Sequence, residues 1–125
     1  MRARAAAILL AIAVAAGAAC GGGGDDDGLA SEPVPADPDV VIRAEAMAFD
    51  PDAVEVPADE PVTLVIDNRD DGVNHNLHVE GAPEPNRTPL EQGESQQALT
   101  VTLPAGEYEF VCDIHPAMTG EIVAG

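Results

Sequence analysis

Three side chains that can bind a metal ion lie close together near the end of this 125-residue sequence. Cys112, His115 and Met118 follow one another at intervals of three residues, so one short loop can present a thiol, an imidazole and a thioether to the same ion. Pro116 disfavours regular helix or sheet within the loop. His75 lies in an earlier apolar segment and can add a fourth ligand from another strand. The spacing therefore predicts a metal site.

The donor types favour copper over zinc. Two imidazoles, one thiolate and one weak thioether match the ligand set of a blue-copper electron-transfer site. Zinc fits less well, because methionine is not among its usual ligands and structural zinc sites favour several cysteines. Sulfur suits Cu(I) and nitrogen suits Cu(II). We therefore expect one copper ion that changes oxidation state with little rearrangement.

The elements that must position these ligands are predicted to be short β-strands. Apolar, β-branched or aromatic runs of four to eight residues alternate with turn residues, at 40–47, 53–56, 61–66, 73–80, 97–103, 107–112 and 119–123. Such a pattern predicts an all-β fold, an antiparallel β-sandwich of Greek-key type. The proline-containing segment 81–94 is predicted to be a long crossing loop, and Met47 is expected to fill the core.

Strand alternation predicts which side chains point inward. In the 107–112 strand, a period of two groups Cys112 with the two aromatic residues on the core side and places both glutamates on the other side. In the 73–80 strand, the same rule turns His75 inward and places Asn76 and His78 outward. We therefore expect His75 and Cys112 to meet at the core, with His78 near solvent.

The first 38 residues indicate export and tethering. Residues 1–19 join a basic start to an apolar run of 15 residues, which is shorter than the roughly 20 that a membrane-spanning helix needs and favours a signal peptide. Ala-Ala-Cys20 is similar to the lipobox of prokaryotic lipoproteins, although Gly17 replaces the usual aliphatic residue, and implies lipidation of Cys20. An ordinary secretory signal is the alternative. Residues 20–38 predict a disordered, flexible tether and residues 39–125 the folded domain.

Charge excludes one class of function and suggests a class of partner. Five Arg, no Lys and 23 acidic residues give a net charge of −18, so no basic surface exists for binding nucleic acid. Without residues 1–19 the charge is −20, and residues 39–125 carry 18 acidic residues against three Arg, or −15. We expect a redox partner with a basic docking surface and an association that weakens as salt is added.

His75-Asn76 and the Cys112-x-x-His115-x-x-Met118 loop resemble the cupredoxins, the blue type-1 copper proteins. The resemblance covers about residues 39–125 and implies His75 and His115 as imidazole ligands, Cys112 as the thiolate and Met118 as the long axial ligand. It also implies that Asn76 supports the ligands, through its backbone N–H on the sulfur or through a side chain that links the two ligand segments. An ordinary turn hydrogen bond is the alternative for Asn76.

Particular cupredoxins are similar in further respects. The loop length is most similar to that of amicyanins and shorter than that of plastocyanins, while the signal, tether and acidity are similar to those of halocyanins. These resemblances imply an electron carrier anchored to the outer face of a cytoplasmic membrane in the cell envelope.

Three other functions are alternatives to electron transfer. A copper delivery or storage protein would bind the metal without electron transfer as its role. A cysteine-nucleophile enzyme built on Cys112 and His115 is disfavoured, because the thiol is predicted to face the core and no orienting third group is evident. A metal-free adhesion module leaves the order of the ligands unexplained. We expect a non-enzymatic protein with no disulfide, because Cys20 and Cys112 have separate roles.

Overall fold

A computed structural model describes residues 32–125, and these residues form β-strands and no helix. The strands in chain order are β1 (Val40–Glu45), β2 (Ala48–Asp50), β3 (Ala53–Val56), β4 (Pro61–Asn68), β5 (Asn74–His75), β6 (His78–Val79), β7 (Glu91–Gln92), β8 (Ser95–Thr102), β9 (Gly106–Cys112) and β10 (His115–Ala124). No part of residues 32–125 forms an apolar helix long enough to cross a membrane.

Two four-stranded sheets form the sandwich, in the orders β2-β1-β4-β8 and β3-β10-β9-β6, and β5 pairs with β7 in a small third sheet. The predicted all-β sandwich is confirmed. The prediction of wholly antiparallel pairing is wrong, because β1 pairs with β4 in parallel and β3 pairs with β10 in parallel. Parallel neighbours need a crossover between them, and here β2 and β3 carry the chain from one sheet to the other before β4 returns beside β1.

The core lies between the two sheets and is closed tightly around one aromatic ring. Ile42 and Leu64 from the first sheet and Phe110 and Ile122 from the second are each 0 % exposed. A Cβ atom on Gly120 would lie 2.1 Å from Cζ of Phe110. Gly120 therefore leaves room for this ring. Phe110 lies two residues before Cys112 on the same strand, and both side chains are buried.

The predicted strand over 73–80 is interrupted in the structure. Its first half, β5, joins the small sheet, whereas its second half, β6, pairs with β9 in a main sheet. The residues between them, Asn76 and Leu77, belong to neither strand, so the period of two does not continue across the break. The predicted long loop contains β7, whose Glu91 pairs with His75. Met47 lies in the turn between β1 and β2 and is 48 % exposed, so its expected place in the core is wrong.

Glu32, in the predicted tether, contacts the domain. Glu32 forms an isolated antiparallel bridge with Ala98 on β8, and its carboxylate accepts a hydrogen bond from the backbone N–H of Thr100. The predicted signal segment, Cys20 and the first part of the predicted tether lie outside the described residues.

Candidate metal centre

The side chains of His75, Cys112 and His115 converge at one end of the sandwich. Cys112 Sγ lies 3.8 Å from Nδ1 of His75 and 3.5 Å from Nδ1 of His115, and the two Nδ1 atoms are 3.1 Å apart. The three potential ligand atoms all lie within 4.8 Å of one another. Residues 37 and 40 positions apart in sequence thus meet as a single three-donor cluster.

The ligand loop is a bulge between two strands. Cys112 ends β9 and pairs with His115 at the start of β10, and the regular ladder resumes only at Thr119, which faces Val111. The three residues after His115 therefore sit in a register shift, where the chain is displaced from the sheet. Met118 is the last of them and is 1 % exposed, within the apolar core. The loop predicted between the strands, over residues 113–118, is shorter than expected, because His115 already pairs with Cys112.

Burial differs sharply among the three converging residues. Cys112 is 1 % exposed and the His75 side chain is 0 % exposed, whereas His115 is partly exposed. Cys112 is a free thiol. The inward orientation expected for Cys112 and His75 is confirmed. A thiol this deeply enclosed offers no access to a substrate carbonyl, which weighs against the cysteine-nucleophile alternative.

The ring of His75 is held on its far side by a carboxylate. Its Nε2 lies 2.7 Å from Oδ2 of Asp70. This hydrogen bond, together with others from the backbone of Ala46 and Met47, outweighs burial and lowers the pKa of Asp70. The sequence predicts only a turn at Asp70. The available signal was a carboxylate five residues before a buried histidine, and that spacing alone does not reveal the contact.

Asn76 links the two ligand segments through its side chain. Its Nδ2 donates to Oδ2 of Asp113 at 2.7 Å and to the backbone oxygen of Thr88 at 3.1 Å, and its Oδ1 accepts from the backbone N–H of Asp113 at 2.9 Å. Asn76 is 1 % exposed, so the outward orientation predicted from alternation is wrong. Strand pairing ends at His75, which frees the next side chain to turn inward.

Asp113, between Cys112 and His115, anchors the loop to the neighbouring strand. Its Oδ1 lies 2.7 Å from Nδ1 of His78, and its Oδ2 lies 3.9 Å from a guanidinium nitrogen of Arg87. Desolvation opposes ionisation of Asp113, but hydrogen bonds from Asn76 and His78 prevail and lower its pKa. The His78 side chain is 21 % exposed and is engaged by Asp113, outside the three-donor cluster. Sequence reasoning missed the part played by Asp113.

The cluster fits a copper ion by donor type and by the way its atoms are oriented. Two imidazole nitrogens and one cysteine sulfur make up the trigonal set of blue-copper sites. Because Nε2 of His75 is engaged by Asp70, Nδ1 is the nitrogen left for a metal. Three closely spaced donors without bridging carboxylates do not suit hard cations, which prefer oxygen.

Known proteins share this arrangement of strands. A family model described as a cupredoxin-like domain matches residues 5–124. The reduced Cu(I) form of an amicyanin variant is 28 % identical, with a TM-score of 0.59 over 73 % of this chain and 86 % of the other. Auracyanin A from Chloroflexus aurantiacus, a "blue" copper protein, is 26 % identical, with a TM-score of 0.60 over 71 % and 100 %.

Amicyanin from Paracoccus versutus is 25 % identical, with a TM-score of 0.57 over 78 % of this chain and 90 % of the other. Among curated proteins, none matches this sequence significantly.

Proposed function

The chain belongs to the cupredoxin-like family, and with that as the premise we propose that it is a blue-copper protein that carries single electrons. The observation that carries the proposal is the convergence of one buried thiol and two imidazole nitrogens within 4.8 Å of one another. The blue-copper amicyanin and auracyanin structures, at 26 to 28 % identity, support the same reading.

Four side chains are assigned to the copper ion. His75, Cys112 and His115 supply the three strong donors, and Met118, buried three residues after His115, supplies the weak axial thioether. Bound copper would cycle between Cu(I) and Cu(II). The protein holds its ligands in nearly one arrangement for both states, because they sit on or beside paired strands and Asn76 holds Asp113, the residue after Cys112.

Electrons are proposed to enter and leave through His115. It is the only one of the three converging ligands that is partly exposed, and Pro116 and Ala117 beside it are exposed as well. Ile114, the residue before it, is 47 % exposed. A small apolar rim around an exposed ligand suits a brief contact with a partner, because little polar surface must be desolvated.

The partner is proposed to be a redox protein with a basic docking surface. The domain carries 18 acidic residues against three Arg over residues 39–125. Opposite charge on the partner would steer the encounter and raise the association rate. That rate is expected to fall as ionic strength rises from low to physiological salt.

A lipid on Cys20 is proposed to hold the domain at the outer face of the cytoplasmic membrane. The supporting observation is the sequence pattern of residues 1–20, and the tether after it is rich in Gly, Asp and Pro. The test is the distribution of the expressed protein between membrane and soluble fractions, together with the mass of its processed N-terminus. Cys20→Ser is expected to shift the protein to the soluble fraction. A wild-type protein that is soluble and carries no lipid would refute the anchor.

Addition of Cu(II) to the purified metal-free protein tests the central proposal. An intense visible thiolate-to-copper band and a reversible one-electron couple are expected. Cys112→Ser should abolish the band, because oxygen in place of sulfur removes the charge-transfer donor, whereas Cys20→Ser removes the other cysteine and should leave the band intact. No band in the wild-type protein would overturn the blue-copper assignment.

Copper delivery or storage, the alternative role, makes a different prediction. A delivery protein should bind Cu(I) tightly and pass it rapidly to a chelating acceptor. Slow loss of copper alongside fast electron exchange would support the carrier. Rapid transfer of the ion with slow electron exchange would instead support delivery.

A further inference from the structure

Asp70 lies outside the donor set yet makes the closest polar contact to one of its members. Its Oδ2 is 2.7 Å from Nε2 of His75, on the side of the ring opposite the three-donor cluster. The His75 side chain is 0 % exposed and that of Asp70 is 17 % exposed. The histidine end of the contact is therefore shielded from water, and a carboxylate acceptor makes the hydrogen bond a strong one.

A turn from another part of the sandwich holds the Asp70 carboxylate in place. The backbone N–H of Ala46 donates to its Oδ1 at 2.8 Å, and that of Met47 lies 3.4 Å from its Oδ2. Both turn residues have left-handed backbone angles, with φ of 53° and 61°, which non-glycine residues seldom adopt. Strained positions of this kind often mark functional sites, and here the strain aims two N–H groups at one carboxylate.

The backbone of Asp70 is fixed from the other side by a buried amide. Oδ1 of Asn68 accepts the N–H of Asp70 at 3.0 Å, and Nδ2 of Asn68 donates to the carbonyl groups of Val73 and Glu91 at 2.9 and 3.0 Å. A Cβ on Gly93 would lie 2.3 Å from the carbonyl oxygen of Asp70. The turn that carries Asp70 is thus enclosed by backbone and amide contacts, and its carboxylate has little freedom to turn away.

We propose that Asp70 is a positioning residue of the metal centre, which holds His75 in the tautomer and orientation that present Nδ1 to copper and which favours the oxidised ion. The effect on copper rests on the proposed function, whereas the effect on the tautomer and orientation of His75 does not. A neutral imidazole carries one proton, and an acceptor at Nε2 places that proton there. Nδ1 then keeps its lone pair and faces Cys112 Sγ and His115 Nδ1 before any metal arrives.

The carboxylate of Asp70 faces the ring of His75. Its neighbour Arg69 pairs instead with Asp67, at 2.7 Å. A fixed negative charge behind a ligand attracts Cu(II) more than Cu(I), because the interaction scales with the charge of the ion. Loss of the carboxylate is therefore expected to raise the reduction potential.

Two substitutions separate the hydrogen bond from the charge, and a neighbour provides the control. Asp70→Ala removes both, whereas Asp70→Asn keeps one acceptor oxygen for Nε2 of His75 and removes the charge together with the acceptor for the Ala46 N–H. Asp71→Asn makes the same charge change at the next residue, which is exposed and forms a backbone bridge with Gly93. All three are made in the full chain, and the imidazole ¹⁵N shifts of the metal-free protein report the His75 tautomer.

In the metal-free protein, the wild type, Asp70→Asn and Asp71→Asn are expected to keep the proton of His75 on Nε2, and Asp70→Ala is expected to populate both tautomers. With copper added, Asp70→Ala should lose about 10- to 100-fold in Cu(II) affinity, the usual cost of removing such a partner. Asp70→Asn should raise the potential more than Asp71→Asn does, because only the former charge faces a ligand.

Three results would overturn the inference. The first is an unchanged His75 tautomer in Asp70→Ala. The second is a Cu(II) affinity of Asp70→Ala that equals that of Asp71→Asn. The third is a matched shift in potential for the two asparagine variants. Failure of the wild-type protein to bind copper would refute the proposed function instead, and the tautomer measurement, which needs no metal, would still decide whether Asp70 positions His75. Asp70→Asn preserves shape and keeps the test usable if Asp70→Ala does not fold.

Discussion

The two imidazoles of the centre are supported in opposite ways. His75 ends a short strand, is fully buried, and is held at Nε2 by Asp70. His115 begins β10 beside a register shift and is partly exposed, and the contacts recorded for its ring are with Cys112 and His75. His75 is therefore the buried half of the site and acts as a rigid anchor, whereas His115 is the exposed half, which solvent reaches.

The comparison shows how one small site can be both preformed and accessible. Under the proposed function, a partner must be able to reach one ligand, while the others must stay in place when the electron arrives or leaves. The chain divides these requirements between two residues that are 40 positions apart. Cys112 and Asn76, which contact or bridge both halves, keep the two at a fixed separation.

The strongest test of this asymmetry removes each imidazole and offers free imidazole in its place. His115→Gly opens a partly exposed cavity that free imidazole can enter, whereas His75→Gly leaves a buried cavity beside an Asp70 that has lost its histidine partner. The blue band of His115→Gly is expected to return at an imidazole concentration at least about tenfold lower than the one His75→Gly needs. A tenfold difference corresponds to roughly 1.4 kcal/mol in binding free energy. Titration of the copper-loaded variants followed by absorption measures it. Equal concentrations would remove the distinction between the halves.

The link between the halves is tested by Asn76→Ala. This substitution leaves the backbone N–H of Asp113 and the carbonyl of Thr88 without their partner, and an unsatisfied buried group costs about 1 to 3 kcal/mol. The free energy of unfolding of the metal-free protein, from urea titration, should fall by that amount. Asn74→Ala, an exposed asparagine two residues earlier, is the matched control and should have little effect. Similar losses in both variants would contradict the bridging role.

A smaller change is expected from Met118→Leu. The side chain is buried, and a leucine of similar volume preserves packing at a cost usually below about 1.5 kcal/mol. Loss of a weak axial ligand should leave much of the colour and shift the reduction potential, which voltammetry measures. Bleaching as complete as in Cys112→Ser would mean that Met118 is not the axial ligand.

The smallest effect is expected from His78→Ala. His78 contacts the loop through Asp113 and is not part of the three-donor cluster. The colour should remain, while the loop loses one partly exposed hydrogen bond, worth about 0.5 to 1.5 kcal/mol. Absorption and thermal unfolding of the same sample give both values. A bleached protein would show that His78 is a ligand and that the anchor and the exposed half have been assigned incorrectly.

Much of the site could be predicted from local patterns, and the errors occur where a pattern stops being local. Alternation placed Cys112 correctly, because β9 is one continuous strand from Gly106 to Cys112. The same rule failed at Asn76, because β5 ends at His75 and pairs in a different sheet from β6. Alternation predicts side-chain orientation only within one unbroken strand. The residues of a two-residue strand do not indicate which sheet it will join.

The sequence by itself determined the donor types, their order and the strands that carry them, because spacing along the chain limits which side chains one loop can present. Tertiary structure alone decided that Asp70 supports His75, that Asn76 ties Asp113 to the neighbouring segment, and that β1 and β4 run in parallel. The turn that orients Asp70 lies 24 residues before it, and Asn76 and Asp113 are 37 residues apart. Contacts at such separations depend on how the two sheets pack, which no short stretch of sequence encodes.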